Sequence, residues 1–292
     1  MSSLVSANPQ ELNARDERAL INAVAILEGK SFVGRLTDIT GEPVSQLLKR
    51  LPAPVTNQIN RAVRHTMTQA LQVALYRMGE KGMPEPPPLL FQVASTVTGG
   101  VSGFFGMAAL AIELPVTTTL MLRSIAGIAA RHGEQLDQPA ARLACLEVFA
   151  LGAPGKNAAP GKHAAPGKHG LSGETSYYAA RAFLAKTVSE AAQALLERGL
   201  AGGSAPVIVD LITSVGSRFG VVVSEKVAAG AIPVVGAVGG AAVNLAFMQH
   251  FQQVAGAHFV VRHLERRYGP ALVRTRYQYL DDLRKARIDS RL

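Results

Sequence analysis

Apolar residues recur every three or four positions along much of this sequence, and Pro and Gly residues interrupt the recurrence at intervals. Such spacing predicts α-helices, because residues three or four apart lie on one face of a helix. We find no convincing run of alternating apolar and polar residues, which a half-buried strand would need. The pattern predicts an all-α fold, a multi-helix bundle with glycine-rich apolar helical hairpins. The first predicted helix opens at Asn8, and the other main ones cover residues 55–78, 116–131, 138–151, 176–199, 205–229 and 234–268.

Two long segments, residues 86–112 and 227–261, contain no Asp, Glu, Lys or Arg. Both are rich in small residues, a composition that suits helices that pack very closely or touch a membrane. Residues 89–112 and 234–259 are long enough to span a bilayer, but their polar residues favour a soluble core or reversible insertion. Pairs of glycines four residues apart predict grooves for close helix packing. These pairs are Gly99 with Gly103 and Gly236 with Gly240.

Proline and glycine residues also divide the chain. Pro115 is expected to break or kink the chain just before it, giving a kinked helix or a tight apolar hairpin. Residues 153–170 are three hexapeptide repeats, APGKNA, APGKHA and APGKHG. They cannot bury a core, so they predict a flexible loop, with a basic binding loop as the alternative. The predicted division is an N-terminal helical segment (1–54), a helical domain that contains this loop (55–269) and a basic C-terminal tail (270–292).

Charge adds a candidate partner. The formal net charge is +9, and the stretch from Arg262 to the end has nine Lys/Arg and four Asp/Glu. A basic end is typical of attraction to anionic lipid or nucleic acid, although a solvated helical tail has the same composition. The one cysteine, Cys145, excludes an internal disulfide and fits a reducing compartment. The N-terminal sequence does not resemble a secretory signal, so we expect a cytoplasmic protein, peripheral on the inner face of the cytoplasmic membrane.

The sequence has no catalytic motif of comparable strength. Its candidate functional residues are polar groups in apolar surroundings, where an ionisable or amide side chain is costly to bury. A structural role is the alternative for each; Glu113, for example, would lie near the positive start of the helix predicted after Pro115. His250 and His258 are about 80° out of register on their predicted helix, which is poor for shared metal ligation, and no motif indicates a cofactor, so neither is expected. The candidates are Glu113, Arg123, Glu147, Asn244 and His250.

Four segments together carry a family resemblance. They are ELPVTTTLMLRSIAGIA (113–129), LACLEVFALG (143–152), YYAARAFLAK (177–186) and GAIPVVGAVGGAAVNLAFMQHFQQVAGAHFVVRHLERRYG (230–269). In these the chain resembles the EcsC protein family of bacteria, over roughly residues 55–269. The family is named for a component encoded beside the Ecs ABC transporter. The resemblance implies a helical bacterial domain, but it brings no established reaction and therefore no catalytic residues. The APGK repeats depart from the family pattern.

These observations favour a non-enzymatic, membrane-associated accessory protein. Its expected partners are an anionic membrane surface, bound peripherally or by reversible insertion, and a membrane protein or transporter component. The alternative is an uncharacterised enzyme or a small apolar-ligand-binding protein that uses a pocket within the helical bundle. Nucleic-acid binding is not expected, because the basic end lacks a recognition motif.

Overall fold

The computed structural model describes residues 11–77, 107–153, 175–198, 206–232 and 236–290. Every regular element within these ranges is an α-helix, which confirms the predicted all-α multi-helix bundle. Two short helices, α2 and α3, lie where the sequence pattern is too loose to predict any. The helices are α1 (Ala14–Leu27), α2 (Phe32–Thr40), α3 (Val44–Lys49), α4 (Ala53–Arg77), α5 (Met107–Arg131), α6 (Pro139–Leu151), α7 (Ser176–Arg198), α8 (Pro206–Gly230), α9 (Gly236–Tyr268) and α10 (Pro270–Asp289).

The interior is organised around α6, which has no polar face. All of residues 143–150 are buried, including Cys145. A helix that is apolar all round has to be surrounded by other helices, and α6 contacts α4, α5, α7, α8 and α9. Phe149 of α6 packs with Phe219 of α8 and Phe251 of α9, with ring centroids 5.1 to 5.5 Å apart. These aromatic contacts join the three helices that form the centre of the core.

The first helix begins later than the sequence predicts. Its N-cap is Asn13, whose side-chain oxygen accepts hydrogen bonds from the backbone N–H groups of Arg15 and Asp16, at 3.0 and 2.8 Å. Such a cap satisfies donors that the helix itself leaves free. The predicted start at Asn8 is therefore wrong, because the residues just before Ala14 are not helical.

Pro115 lies inside α5, so of the two predicted alternatives, a kinked helix or a tight hairpin, the hairpin is wrong. An internal proline removes a backbone hydrogen bond and costs about 3 kcal/mol in a helix. Its neighbours are held firmly, since Leu114 and Thr118 are fully buried and Glu113 pairs with Lys226 of α8. We attribute the continuity of α5 to these tertiary contacts, which offset the local cost.

The second uncharged segment is largely interior where the structure describes it. Phe247, Phe251 and Phe259 of α9 are fully buried, and α9 contacts α1, α2, α5, α6, α8 and α10. Close packing therefore accounts for its composition. The first uncharged segment falls outside the described residues as far as residue 106, and the predicted pair Gly99 and Gly103 with it.

One helix in the described part of the chain is long and apolar enough to cross a membrane. This helix is α8, with a mean hydropathy of 1.6 over its most apolar window, of which 44% is buried. It is not among the segments that the sequence analysis considers long enough to span. Because a core helix of this length has the same composition, α8 does not by itself indicate a membrane protein.

The N- and C-terminal segments both pack on the central helices. Helix α1 lies against α9 and α10, and α2 lies against α8 and α9. Val273, Tyr277 and Asp281 of α10 are buried against the body of the protein. From residue 285 to residue 290, every side chain is exposed. The basic C-terminal segment is therefore a helix that is anchored along its first three turns and projects at its end.

Candidate functional site

A cavity of about 120 Å³ lies where the ends of α1 and α6 meet the starts of α2 and α7. Helix ends carry unpaired backbone groups and partial charges, so a place where four of them meet is polar. Of the candidates predicted from the sequence, His250 is the one that lines this cavity. Its charged lining residues are Glu28, Lys30, Arg35 and Arg218.

Arg218 of α8 holds the end of α6. Its Nε donates to the carbonyl oxygen of Ala150 at 2.9 Å, and one Nη donates to that of Ala153 at 3.3 Å. Ala150 is in the last turn of α6, where carbonyls lack the usual helical partner, and Ala153 lies just beyond the helix. The guanidinium thus has a structural role, yet it uses only some of its five N–H groups on acceptors in the described residues.

His250 of α9 binds the same helix end. Its Nε2 lies 2.7 Å from the carbonyl oxygen of Gly152. Because a carbonyl only accepts, Nε2 carries the proton, and Nδ1 has a lone pair without a partner in the described residues. Burial, together with the nearby charge of Arg35, lowers the pKa of His250 to about 4. His250 is therefore neutral at pH 7.

Glu28, just after α1, is the acidic residue of the lining. Its carboxylate accepts hydrogen bonds from the backbone N–H groups of Ser176 and Tyr177, at 3.3 and 2.9 Å. It also accepts from the hydroxyl groups of Ser176 and Tyr277, at 2.5 and 3.1 Å. Glu28 therefore caps the start of α7 and is occupied by this task.

The basic residues of the lining have fewer partners of opposite charge. Lys30 pairs with Asp38 at the surface, and Arg35 donates to the side-chain oxygen of Gln253. Considering only the described residues, neither Arg35 nor Arg218 has a carboxylate within ion-pairing distance. Burial lowers the pKa of both guanidinium groups, as expected for cations taken from water without a counter-charge. The cavity is therefore a cationic site.

We expect Gly152→Ala to lower the free energy of unfolding by about 1–3 kcal/mol, the usual cost of overpacking a core. A Cβ at Gly152 would lie 2.4 Å from a carbon of the Phe251 ring, which has no room to move away. Urea denaturation measures the effect. Gly256→Ala is the matched control in the same region, because its Cβ would meet nothing within 4 Å. An equal loss in both variants would contradict this interpretation.

A second polar cluster lies between α6, α7 and α9. The hydroxyl of Tyr177 is 3.0 Å from Nδ1 of His258, and the carboxylate of the predicted candidate Glu147 is 3.9 Å from Nε2. Burial raises the pKa of Glu147 and lowers the pKa of His258, so both favour their neutral forms. His258 is fully buried. A group without access to solvent cannot meet a substrate, so we interpret this cluster as structural.

The other predicted candidates lie apart from the cavity. Glu113 forms a buried ion pair with Lys226, at 2.5 Å, and the Lys226 ammonium lies 4.9 Å from the centre of the Phe247 ring. Asn244 of α9 is fully buried, and Arg123 of α5 is half-buried. Gly236 and Gly240 both lie in α9. The structure therefore does not bring the predicted candidates into one site.

A larger and more open groove, of about 570 Å³, lies between α5, α6 and α9. Its charges are matched: Arg262 donates to Glu134 through two nitrogens, at 2.8 and 2.9 Å, and Arg266 also binds Glu134. Burial alone would raise the pKa of Glu134, but the two arginines lower it. This groove is therefore charge-balanced, in contrast to the cavity beside His250.

Sequence reasoning missed Arg218, Arg35, Glu225 and Lys226. Arg218, Glu225 and Lys226 interrupt apolar stretches of α8, the same signal that singled out Glu113 and Glu147. Arg35 lies in a stretch with no strong pattern, so no signal was available for it. In the described part of the chain, no three His, Cys, Asp or Glu side chains converge as metal ligands do.

Comparison with known proteins gives one match. The sequence profile of the EcsC protein family matches residues 90–264, more than half of the chain. No curated protein and no solved structure matches it. The matched region runs from the first uncharged segment to the last turns of α9, and it contains α6 and Arg218. The chain therefore belongs to the EcsC protein family.

Proposed function

We propose that this EcsC protein is a non-enzymatic accessory protein that associates peripherally with an anionic membrane surface. In this proposal it acts on the inner face of the cytoplasmic membrane, beside a membrane protein such as a transporter component. The observation that carries the proposal is the outer surface of α10, where exposed apolar and cationic side chains occur together near a projecting helix end.

The apolar part of this surface consists of Tyr279 and Leu283, which are 50% and 41% exposed, while Ile288, 48% exposed, lies about 140° round the helix from Leu283. They are three of the nine large apolar side chains that are exposed in the described part of the chain. Tyr279 and Leu283 are four residues apart and share one face of the helix. Exposed apolar residues grouped on a surface helix are typical of a contact with lipid.

The cationic part is weaker than the sequence alone suggests. Helix α10 has five Lys/Arg and three Asp, and several of these are paired. Arg284 and Lys285 both pair with Asp281, and Arg276 pairs with Glu17. Each basic residue near an anionic surface contributes about 1 kcal/mol, and salt screens it. We therefore expect binding that weakens with salt but persists, because the apolar contact remains.

We expect Leu283→Glu to weaken binding to anionic vesicles about tenfold. The change removes an apolar contact worth on the order of 1.5–3 kcal/mol when fully buried, and it adds repulsion from the lipid charge. A vesicle titration followed by sedimentation measures it. Ile39→Glu on α2 is the matched control, because Ile39 is 46% exposed but lies away from α10. If both variants lose vesicle binding equally, or if neither loses any, α10 is not the surface that binds the membrane.

A second candidate function is the binding of a small ligand within the helical bundle. The cavity beside His250 favours it, since charged side chains from several helices converge there. Its lining suits a polar ligand, whereas the sequence analysis expects an apolar one. Such a ligand is compatible with a non-enzymatic role, because it needs only to be bound.

A further inference from the structure

We propose that the cavity beside His250 binds a small phosphate-type anion that still carries a proton. Arg35 and Arg218 would bind its charged oxygens, and Nδ1 of His250 would accept a hydrogen bond from its O–H group. This inference goes beyond the proposed membrane association and does not depend on it.

The first argument is the unmatched charge. Two arginines line a cavity of about 120 Å³, and within the described residues neither has a carboxylate within ion-pairing distance. A buried cation is costly unless an opposite charge or several acceptors compensate it. The backbone carbonyls at the end of α6 compensate Arg218 only in part. Arginine is also the side chain best suited to bind oxyanions, because its planar fork presents parallel donors.

The second argument is the unpartnered nitrogen of His250. The side chain is 4% exposed, and its Nδ1 has no hydrogen-bond partner in the described residues. Because Nε2 donates to the carbonyl oxygen of Gly152, Nδ1 of the neutral ring can only accept a hydrogen bond from a ligand. Sulfate at pH 7 has no proton to donate, whereas inorganic phosphate keeps one, and a phosphate monoester, whose second pKa is about 6, keeps one in a minority of its molecules. The site is therefore expected to prefer phosphate to sulfate.

The third argument concerns fit and local field. A water site measures about 10–15 Å³ by the same measure, so this cavity has room for a polyatomic ion. Helix α2 begins at the cavity with Ser31 as its N-cap, and the start of a helix carries partial positive charge. Among the described residues Glu28 is the one carboxylate of the lining, and it is occupied by the start of α7.

Isothermal titration of the full chain with inorganic phosphate at pH 7, and with sulfate at equal ionic strength, tests the proposal. We expect saturable binding of phosphate and at least tenfold weaker binding of sulfate. Arg35→Gln should weaken phosphate binding at least tenfold, because it removes one of the two cations without touching the cap of α6. Arg61→Gln is the matched control, since Arg61 is an exposed arginine of α4, and it should change nothing.

Two further binding experiments identify the source of the phosphate. Glycerol phosphate represents a free monoester, and vesicles containing a lipid with a monoester headgroup represent a membrane. Binding of either that is lost in Arg35→Gln supports the site, and the stronger one names its natural source. Absence of phosphate binding by the natural chain would overturn the proposal. So would binding that Arg35→Gln leaves unchanged.

Discussion

Lys226→Met is expected to lower the free energy of unfolding by about 3–5 kcal/mol, because it leaves the Glu113 carboxylate buried without its partner. Both side chains are more than nine-tenths buried, and the ammonium lies 2.5 Å from the carboxylate oxygen. The pair also joins α5 to α8 beside Pro115, where the helix has lost a backbone hydrogen bond. Urea denaturation at pH 7 measures the effect.

Two controls separate the lost charge from lost packing. Replacing both partners, Glu113→Leu with Lys226→Met, should recover most of the loss, because apolar pairs of similar volume often match a buried ion pair. Lys186→Met breaks an exposed pair with Glu190 and should cost at most about 1 kcal/mol. If the double variant is as unstable as the single one, the ion pair is not the cause.

The second large effect is a pH dependence carried by Glu225 of α8. Its side chain is 2% exposed, one carboxylate oxygen has no partner in the described residues, and burial raises its pKa from 4.5 to about 7. Between these values the unfolded chain releases the proton and the folded chain keeps it. Glu225 therefore destabilises the fold progressively as pH rises from 4.5 to 7, by about 3 kcal/mol in total.

Comparison with Glu225→Gln isolates this contribution. We expect the variant and the natural chain to be equally stable at pH 4.5, and the variant to be more stable by roughly 1–3 kcal/mol at pH 8. The comparison is needed because His250 acts in the opposite direction. Its pKa falls from 6.5 to about 4 on folding, so it costs stability as pH decreases. Thermal melts over this pH range provide the measurement, and a pH-independent difference would contradict the assignment.

The helices could be predicted because their signals are local. Gly269, for example, directly follows the end of α9, and apolar spacing supplies the rest. Pro115 shows the limit of this reasoning. Its local preference is to end a helix, and tertiary contacts of its neighbours, such as the ion pair of Glu113 with Lys226 of α8, override that preference. No pattern within a short window contains this information.

Less of the candidate site than of the fold could be predicted from the sequence. An isolated ionisable residue in an apolar run is costly to bury, and this signal identified Glu113, Glu147 and His250. What each group binds depends on residues far away in the chain, such as Lys226 for Glu113 or Gly152 for His250. The unmatched charge of the cavity is visible only once α1, α2, α6, α7, α8 and α9 are placed together.

The measurement that tests the proposed function most directly is flotation of the natural full chain with anionic and with neutral vesicles. The account predicts that the protein floats with anionic vesicles at low salt, that part of it remains bound at high salt, and that neutral vesicles bind less. Protein that stays in the aqueous fraction with anionic vesicles at low salt would contradict the account.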